Sequence, residues 1–245
     1  MMAGLIRLAA ALLLLGIASP AIAPDISISF GDQGSLAARS IQLIVLITLL
    51  SLVPGLAIMI TCFPFIVTVL SILRQAIGLQ QSPPNMLIVS LALFLTYFVM
   101  EPVFTKAWTD GAEPLISGEI EVEAAFTQAL APFRVFMANR IDPDTFQSLA
   151  ALRDATAQST TATEDSPLSL LVPSFLLSEI ERAFQIGFLI FLPFLIIDLV
   201  VAAILMSMGM MMVPPAIVSL PFKLAFFVVA DGWSLISGAL VRSYF

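Results

Sequence analysis

The chain has 245 residues, of which 60% are hydrophobic and only 11% are charged, and its mean hydropathy is +1.06. Soluble domains carry about 25% charged residues, so this composition indicates a membrane protein. The net charge of −7 argues against nucleic acid as a partner, because phosphate binding needs a basic face. The absence of histidine removes the commonest general base and metal ligand, and the single Cys62 cannot form an internal disulfide.

The first 23 residues have the features of a secretory signal peptide. Arg7 supplies a positive charge, residues 8–17 form an apolar core, and Ala21-Ile22-Ala23 is an A-x-A cleavage site. We therefore expect cleavage after Ala23 and a mature N-terminus outside the cytoplasm. The alternative is an uncleaved anchor helix, which Pro20 and the short apolar core disfavour.

Residues 24–104 are predicted to form the N-terminal region of apolar helices. This region begins with a polar linker over residues 24–40. The first apolar stretch runs from Ile41 to Leu73, and a membrane-spanning helix needs only about 20 residues. Pro54 and Pro64 interrupt this stretch, since proline removes a hydrogen-bond donor and clashes with the preceding turn. The pattern therefore predicts either one kinked helix or two shorter helices in sequence.

The second apolar stretch follows a predicted connector over residues 74–85, which contains Gly78 and the Pro83-Pro84 pair. Met86 to Met100 is apolar, but Glu101-Pro102 follows. This pattern predicts a segment of about 15 residues, which is short for a hydrocarbon core of ~30 Å. We expect such a segment to contact neighbouring protein rather than lipid.

Residues 105–167 form an acidic domain with ten Asp and Glu residues against four Lys and Arg. Basic residues are enriched on cytoplasmic sides, so this domain is predicted to face the periplasm. One helix is predicted over residues 121–139, restarting at Pro132. A second is predicted over residues 142–153, because Asp142 can cap the helix and proline suits its first position. The Ser/Thr/Ala tract over residues 155–165 is predicted to be a flexible loop.

Residues 168–245 are predicted to form a helical hairpin. Its first arm is expected over residues 176–208, with a kink at Pro193, and its second arm over residues 216–240. The turn between them holds five of the eleven methionines, at positions 206, 208, 210, 211 and 212. Methionine is unbranched and polarizable and fits irregular surfaces, so this turn could form a soft apolar plug. The alternative is a turn between two buried helices that is rich in methionine without a further role.

Six ionisable residues lie within the apolar arms, and each is costly in a membrane unless it is paired. They are Glu179, Glu181, Arg182, Asp198, Lys223 and Asp231. Glu179 and Arg182 are three residues apart and can meet on one helix face, as a structural ion pair. For Asp198 we weigh a proton relay against a buried link to a neighbouring helix or subunit through Lys223, and we favour the link.

Enzyme motifs are missing from the sequence. It has no G-x-S-x-G, no H-E-x-x-H, no P-loop and no glycine-rich dinucleotide turn. We therefore expect no enzymatic activity and no cofactor, metal or catalytic residues.

Three blocks of the sequence resemble the FliP family, the component P of the flagellar type III export gate, which has relatives in injectisomes. The first is RQAIGLQQSPPN at residues 74–85, which favours the flagellar over the injectisome version. The second is PSFLLSEIERAFQIGF at residues 173–188. The third begins with PFLIIDLV at residue 193 and continues through MGMMMVPP at residue 208 to DGW at residue 231.

The resemblance implies an all-α, membrane-associated subunit in which kinked helical hairpins pack into a ring, with a small helical periplasmic domain. Five copies would assemble with components Q and R, beside FlhB and FlhA. Such a gate passes unfolded flagellar proteins across the bacterial inner membrane. It lies in the flagellar basal body, with much of the assembly on the periplasmic side of the lipid.

The resemblance also assigns roles to residues of the hairpin. Met210, Met211 and Met212 would form a methionine gasket around the pore, while Met206 and Met208 are expected to pack within the first arm. Gly209, Pro214 and Pro215 would break the helix at the gate. Glu179, Arg182, Asp198 and Lys223 would make contacts between helices or subunits. Two other functions stay open, a multi-pass solute transporter and a structural membrane scaffold that never lines a pore.

Overall fold

The computed structural model describes residues 36–79, 82–152, 162–210 and 212–245, and within these ranges the secondary structure is helical without strands. The α-helices are α1 (Leu36–Met59), α2 (Phe63–Ile77), α3 (Asn85–Ala107), α4 (Glu113–Ile116), α5 (Val122–Ala138), α6 (Pro143–Ala151), α7 (Leu168–Ser207), α8 (Pro215–Val229) and α9 (Gly232–Arg242). A π-helical turn, Trp108–Ala112, joins α3 to α4. The expected all-α class is confirmed. The predicted signal peptide and its cleavage at Ala23 lie outside the described residues.

The chain divides into two units, residues 1–49 and 50–245, and the contacts described below lie within the second. In the part of the chain that the structure describes, three helical stretches are long and apolar enough to cross a membrane: Arg39–Met59, Asn85–Ile116 and Leu168–Ser207. The pair α8 and α9 would make a fourth if both belong to one bent span. This agrees with the membrane class that the composition predicts.

The first apolar stretch forms two helices in sequence, which is one of the two predicted alternatives. The break between them, however, is at neither of the predicted prolines. Pro54 lies inside α1, and Pro64 lies in the first turn of α2, where a missing N–H costs no helical hydrogen bond. The chain breaks at residues 60–62 instead. The helix α1 also begins at Leu36, so the predicted polar linker ends five residues too late.

The prediction of a short segment ending at Met100 was wrong. The helix α3 continues through Glu101-Pro102 to Ala107, and the helical stretch reaches Ile116 over 32 residues. Glu101 and Pro102 are both exposed, so the helix continues without burying the carboxylate. The length of this stretch therefore gives no reason to exclude lipid as its surrounding.

The main core surrounds α2, whose 15 residues include seven that are buried. This helix packs chiefly along α7 and also against α3 and α8. The buried apolar side chains of α2 are Phe65, Ile66, Val69, Leu70, Leu73, Ala76 and Ile77. Helix α2 is therefore the central element that fixes the arms of the hairpin relative to α3.

A second, smaller core joins the acidic domain to the start of α7. It includes Met137 and Phe146 from the acidic domain and Leu171 and Phe175 from α7. The helix α5 runs without a restart through Pro132, contrary to the prediction. The predicted cap of α6 is confirmed, because the Asp142 carboxylate accepts hydrogen bonds from the N–H groups of residues 144 and 145. Much of the predicted loop, residues 153–161, lies outside the described residues.

The hairpin differs from the prediction in both arms. Its first arm, α7, begins at Leu168 rather than residue 176 and has 40 residues, or about 60 Å at 1.5 Å per residue. Its second arm is not one helix. It breaks at residues 230–231, where Asp231 adopts a left-handed φ of 48°, and α9 leaves at 61° to α8.

Gly187 of α7 packs tightly against Ile72 of α2. A Cβ placed on Gly187 would lie 2.4 Å from the Cδ1 atom and 3.3 Å from the Cβ atom of Ile72. We expect Gly187→Ala to lower the free energy of unfolding by about 1–3 kcal/mol, as overpacked cores do. The matched control is Gly55→Ala on α1, where a Cβ has nothing within 4 Å. Urea unfolding in mild detergent measures both, and equal stability of the two variants would contradict the tight contact.

Candidate functional site

The methionine-rich turn is built by the C-terminal end of α7 and the start of α8. The N–H of Met210 donates to the carbonyl of Leu205, and the N–H of Gly209 donates to that of Met206, both at 3.0 Å. Gly209 has a φ of +73°, which glycine adopts without steric cost. These bonds form a Schellman motif, which ends α7 and satisfies its last carbonyls. Pro214 then precedes α8 and Pro215 is its first residue.

The four described methionines of this turn are exposed. Met212 is 97% exposed and Met210 is 42% exposed, whereas Met211 lies outside the described residues. Met206 and Met208 are 63% and 67% exposed, so the expectation that they pack within the arm was wrong for the single chain. They lie on the last turn of α7 and at its cap.

An apolar groove of about 540 Å³ runs between α7 and α8 and reaches the turn. Ile197 and Val201 line it from α7, Phe222 lines it from α8, and Met208 and Met210 line it from the turn. The described lining presents no polar surface. The lining of the groove can therefore offer thioether and hydrocarbon contacts, but no hydrogen bonds from side chains.

Asp198 and Lys223 are in contact across the hairpin. The Nζ atom of Lys223 lies 2.5 Å from Oδ2 of Asp198 and also donates to the carbonyl of Ala76, at 3.2 Å. The hydroxyl of Ser219 donates to Oδ1 of the same carboxylate, at 2.5 Å. Lys223 is 6% exposed, while the Asp198 side chain is one-third exposed. The group thus joins α7, α8 and the end of α2.

Glu179 lies at the centre of a second polar group and is fully buried. Its Oε1 atom lies 3.0 Å from Nε of Arg140 and 3.8 Å from Nη1 of Arg182. The hydroxyl of Tyr244 donates to its Oε2 atom. The predicted partner Arg182 is therefore the more distant of two, and its side chain is 35% exposed, against 14% for that of Arg140.

Sequence reasoning missed Arg140 and Tyr244. They are separated from Glu179 by 39 and 65 residues, so no helical periodicity relates them. The Arg140 guanidinium also lies 4.0 Å above the Tyr244 ring, a cation–π contact. The one available signal was the rarity of basic residues in the acidic domain, which makes each one a candidate partner for a buried acid.

Cys62 lies near this group, at the start of α2, and is fully buried. Burial raises the pKa of its thiol to about 12, with a smaller contribution from the Glu179 charge. Burial and the Glu179 charge also raise the pKa of Tyr244. Both groups therefore stay protonated at neutral pH, and Cys62 is a poor nucleophile there, because the thiolate is the reactive form. Among the described residues, no three His, Cys, Asp or Glu side chains are placed to hold a metal ion.

Comparison with known proteins identifies the family. Residues 46–240 match the model of the FliP family. The flagellar biosynthetic protein FliP of Caulobacter vibrioides is 49% identical over 89% of this chain and 82% of its own length. The proteins of the same name from Agrobacterium fabrum and Bacillus subtilis are 46% and 45% identical, covering 98% and 84% of this chain and 98% and 92% of their own lengths. This is a family of flagellar export components rather than of enzymes, and the chain belongs to it.

Proposed function

We propose that this chain is a pore-forming core subunit of the flagellar type III protein export gate. Membership of the FliP family, whose members are named for flagellar biosynthesis, supports a role in the flagellar export apparatus. The observation that supports the pore-forming role is the exposed methionine turn at the end of the α7–α8 hairpin. A single chain leaves Met210 and Met212 available, and several copies around one axis would bring their thioethers together.

The proposed gasket consists of Met210, Met211 and Met212, repeated in each copy. A ring of thioethers is apolar, and narrow apolar constrictions block ions because water leaves them. Methionine has three rotatable bonds and no charge, so the same ring can deform around varied side chains of a passing unfolded chain. The fixed ends of the turn, set by Gly209 and Pro215, would keep the methionines at the mouth of the hairpin.

The proposal is tested by replacing the gasket methionines. We expect Met210→Ala, Met211→Ala and Met212→Ala together to raise the ion conductance of the assembled complex in planar bilayers at least severalfold. The matched control is Met206→Ala together with Met208→Ala, since these methionines are also exposed but precede Gly209. Unchanged conductance of an intact triple variant would contradict the gasket.

Two other functions give different results in a labelling experiment. Met212→Cys introduces an exposed thiol, and the buried native Cys62 provides little background. Under the proposal, an export substrate arrested in transit cross-links to residue 212 and protects it from maleimide. A structural scaffold would give neither cross-link nor protection, and a solute transporter would show protection by a small solute in the absence of any export substrate.

The proposed setting follows from the same assignment. We propose that five copies assemble with components Q and R in the inner membrane, beside FlhB and FlhA, and that the acidic domain lies on the periplasmic side. The long apolar stretches support association with lipid. The scarcity of Lys and Arg in residues 105–167 supports the orientation. The mass of the complex purified in mild detergent tests the copy number.

A further inference from the structure

The segment that follows α9 makes contacts with several distant parts of the fold. The ring of Tyr244 stacks on Phe136 of α5, with centroids 6.0 Å apart, and meets Phe65 of α2 edge-on at 5.6 Å. Its hydroxyl donates to Glu179 of α7. The carbonyl of Ser243 accepts a hydrogen bond from Nη1 of Arg140, at 2.9 Å. Two consecutive residues thus touch α2, α5, α7 and the segment between α5 and α6.

These contacts complete the hydrogen bonding of a buried ion pair. The Glu179 carboxylate has one oxygen on Arg140 and the other on Tyr244. Arg140 in turn uses Nε for Glu179 and Nη1 for Ser243, while its buried Nη2 has no hydrogen-bond partner. Without Ser243 and Tyr244, one oxygen of a fully buried carboxylate and a further guanidinium N–H would lose their partners. Buried ionic groups left in this way are costly.

The helix that carries this segment is short and follows a bend. The helix α9 has 11 residues and leaves α8 at 61° after Asp231. Its buried side chains Ile236 and Leu240 belong to the same core as α2, and Tyr244 packs against that core. Ser243 and Tyr244 therefore extend the core from α2 to the acidic domain.

We propose that Ser243 and Tyr244 form a latch that fixes the acidic domain to the long helix α7. The latch completes the Arg140–Glu179 pair, which lies beside the start of α6. A neighbouring contact lies at the same junction, where the N–H of Asp142 donates to the hydroxyl of Ser178 on α7, at 3.0 Å. Loss of the latch contacts would loosen this junction, and the helices α5 and α6 would gain freedom relative to α7.

Hydrogen exchange on the purified, assembled complex tests the latch. We expect Tyr244→Phe, which keeps the ring and removes the hydroxyl, to speed amide exchange at residues 139–146 about tenfold. Tyr244→Ala should have a larger effect. Exchange at residues 66–73, in the core of α2, should not change in either variant. The control is Tyr97→Phe, which changes the only other tyrosine, an exposed residue of α3.

Each outcome decides the proposal. Unchanged exchange at residues 139–146 in Tyr244→Phe would overturn it, as would equal acceleration at residues 139–146 and 66–73, which would mean general loosening. If Tyr244→Ala does not assemble, Tyr244→Phe alone gives the decision. The latch does not depend on the proposed export function, since the exchange measurement reports on the folded chain whether or not it forms a pore.

Discussion

Replacing Asp198 with alanine is expected to reduce the stability of the hairpin by about 3–5 kcal/mol, the usual cost of leaving a buried charge unpaired. The charge left behind is Lys223, which is 6% exposed and would keep the carbonyl of Ala76 as its remaining acceptor. The measurement is urea unfolding in mild detergent, together with the yield of assembled complex and secretion in cells. Asp110→Ala is the control, because Asp110 is an exposed carboxylate.

A double variant separates pairing from simple loss of a side chain. Lys223→Met removes the buried charge and keeps most of the side-chain volume. Combined with Asp198→Ala, it should be less destabilising than Asp198→Ala alone, because no ammonium group is left without its partner. Strict additivity of the two single effects would contradict the ion pair as the cause. If secretion fails while stability is restored, a role for Asp198 beyond pairing, such as the proton relay, would gain support.

Replacing Glu179 with glutamine is the second change for which we expect a large effect. The variant removes the carboxylate that Arg140 and Tyr244 share, and leaves a guanidinium with an 86% buried side chain facing a neutral amide. We expect a loss of about 3–5 kcal/mol in the free energy of unfolding. Both the junction with the acidic domain and the contact with Tyr244 should weaken, because Arg140 and Tyr244 bind the same carboxylate.

The control for this experiment is Glu181→Gln, two residues further along the same helix. The Glu181 carboxylate accepts from Gln185 at the surface, and exposed contacts of this kind contribute about 0–1 kcal/mol. Urea unfolding and complex yield measure both variants. A Glu179→Gln complex as stable as the Glu181→Gln complex would contradict a structural role for the buried pair.

The local features of the fold follow from the sequence alone. The composition determined the membrane class, and the three apolar stretches reflect it. The cap at Asp142 was predictable because a side chain and the N–H groups two and three residues later are always within reach. The Met-rich turn was predictable for a similar reason, since Gly209 and the following prolines end a helix by their own backbone chemistry.

The tertiary structure decided where helices end when local signals disagree. Proline at positions 102 and 132 predicts a break, but both lie inside helices. The actual breaks at residues 60–62 and 230–231 have no proline at all. A proline costs a few kcal/mol in a helix, and the burial of a long apolar face can exceed that cost. Sequence patterns indicate the local cost of a proline in a helix, but not the free energy that the helix gains by burying its apolar face.

Separation along the chain decided which polar contacts could be predicted from the sequence. The sequence alone suggested that Asp198 pairs with Lys223, because both are costly charges in an apolar hairpin. It also offered Arg182 for Glu179, because residues three apart share a helix face. It gave no indication of Arg140 and Tyr244, since contacts over 39 and 65 residues depend on how α5, α7 and α9 pack. Composition and spacing thus determined which groups needed partners, and only the packing of helices decided which partners they received.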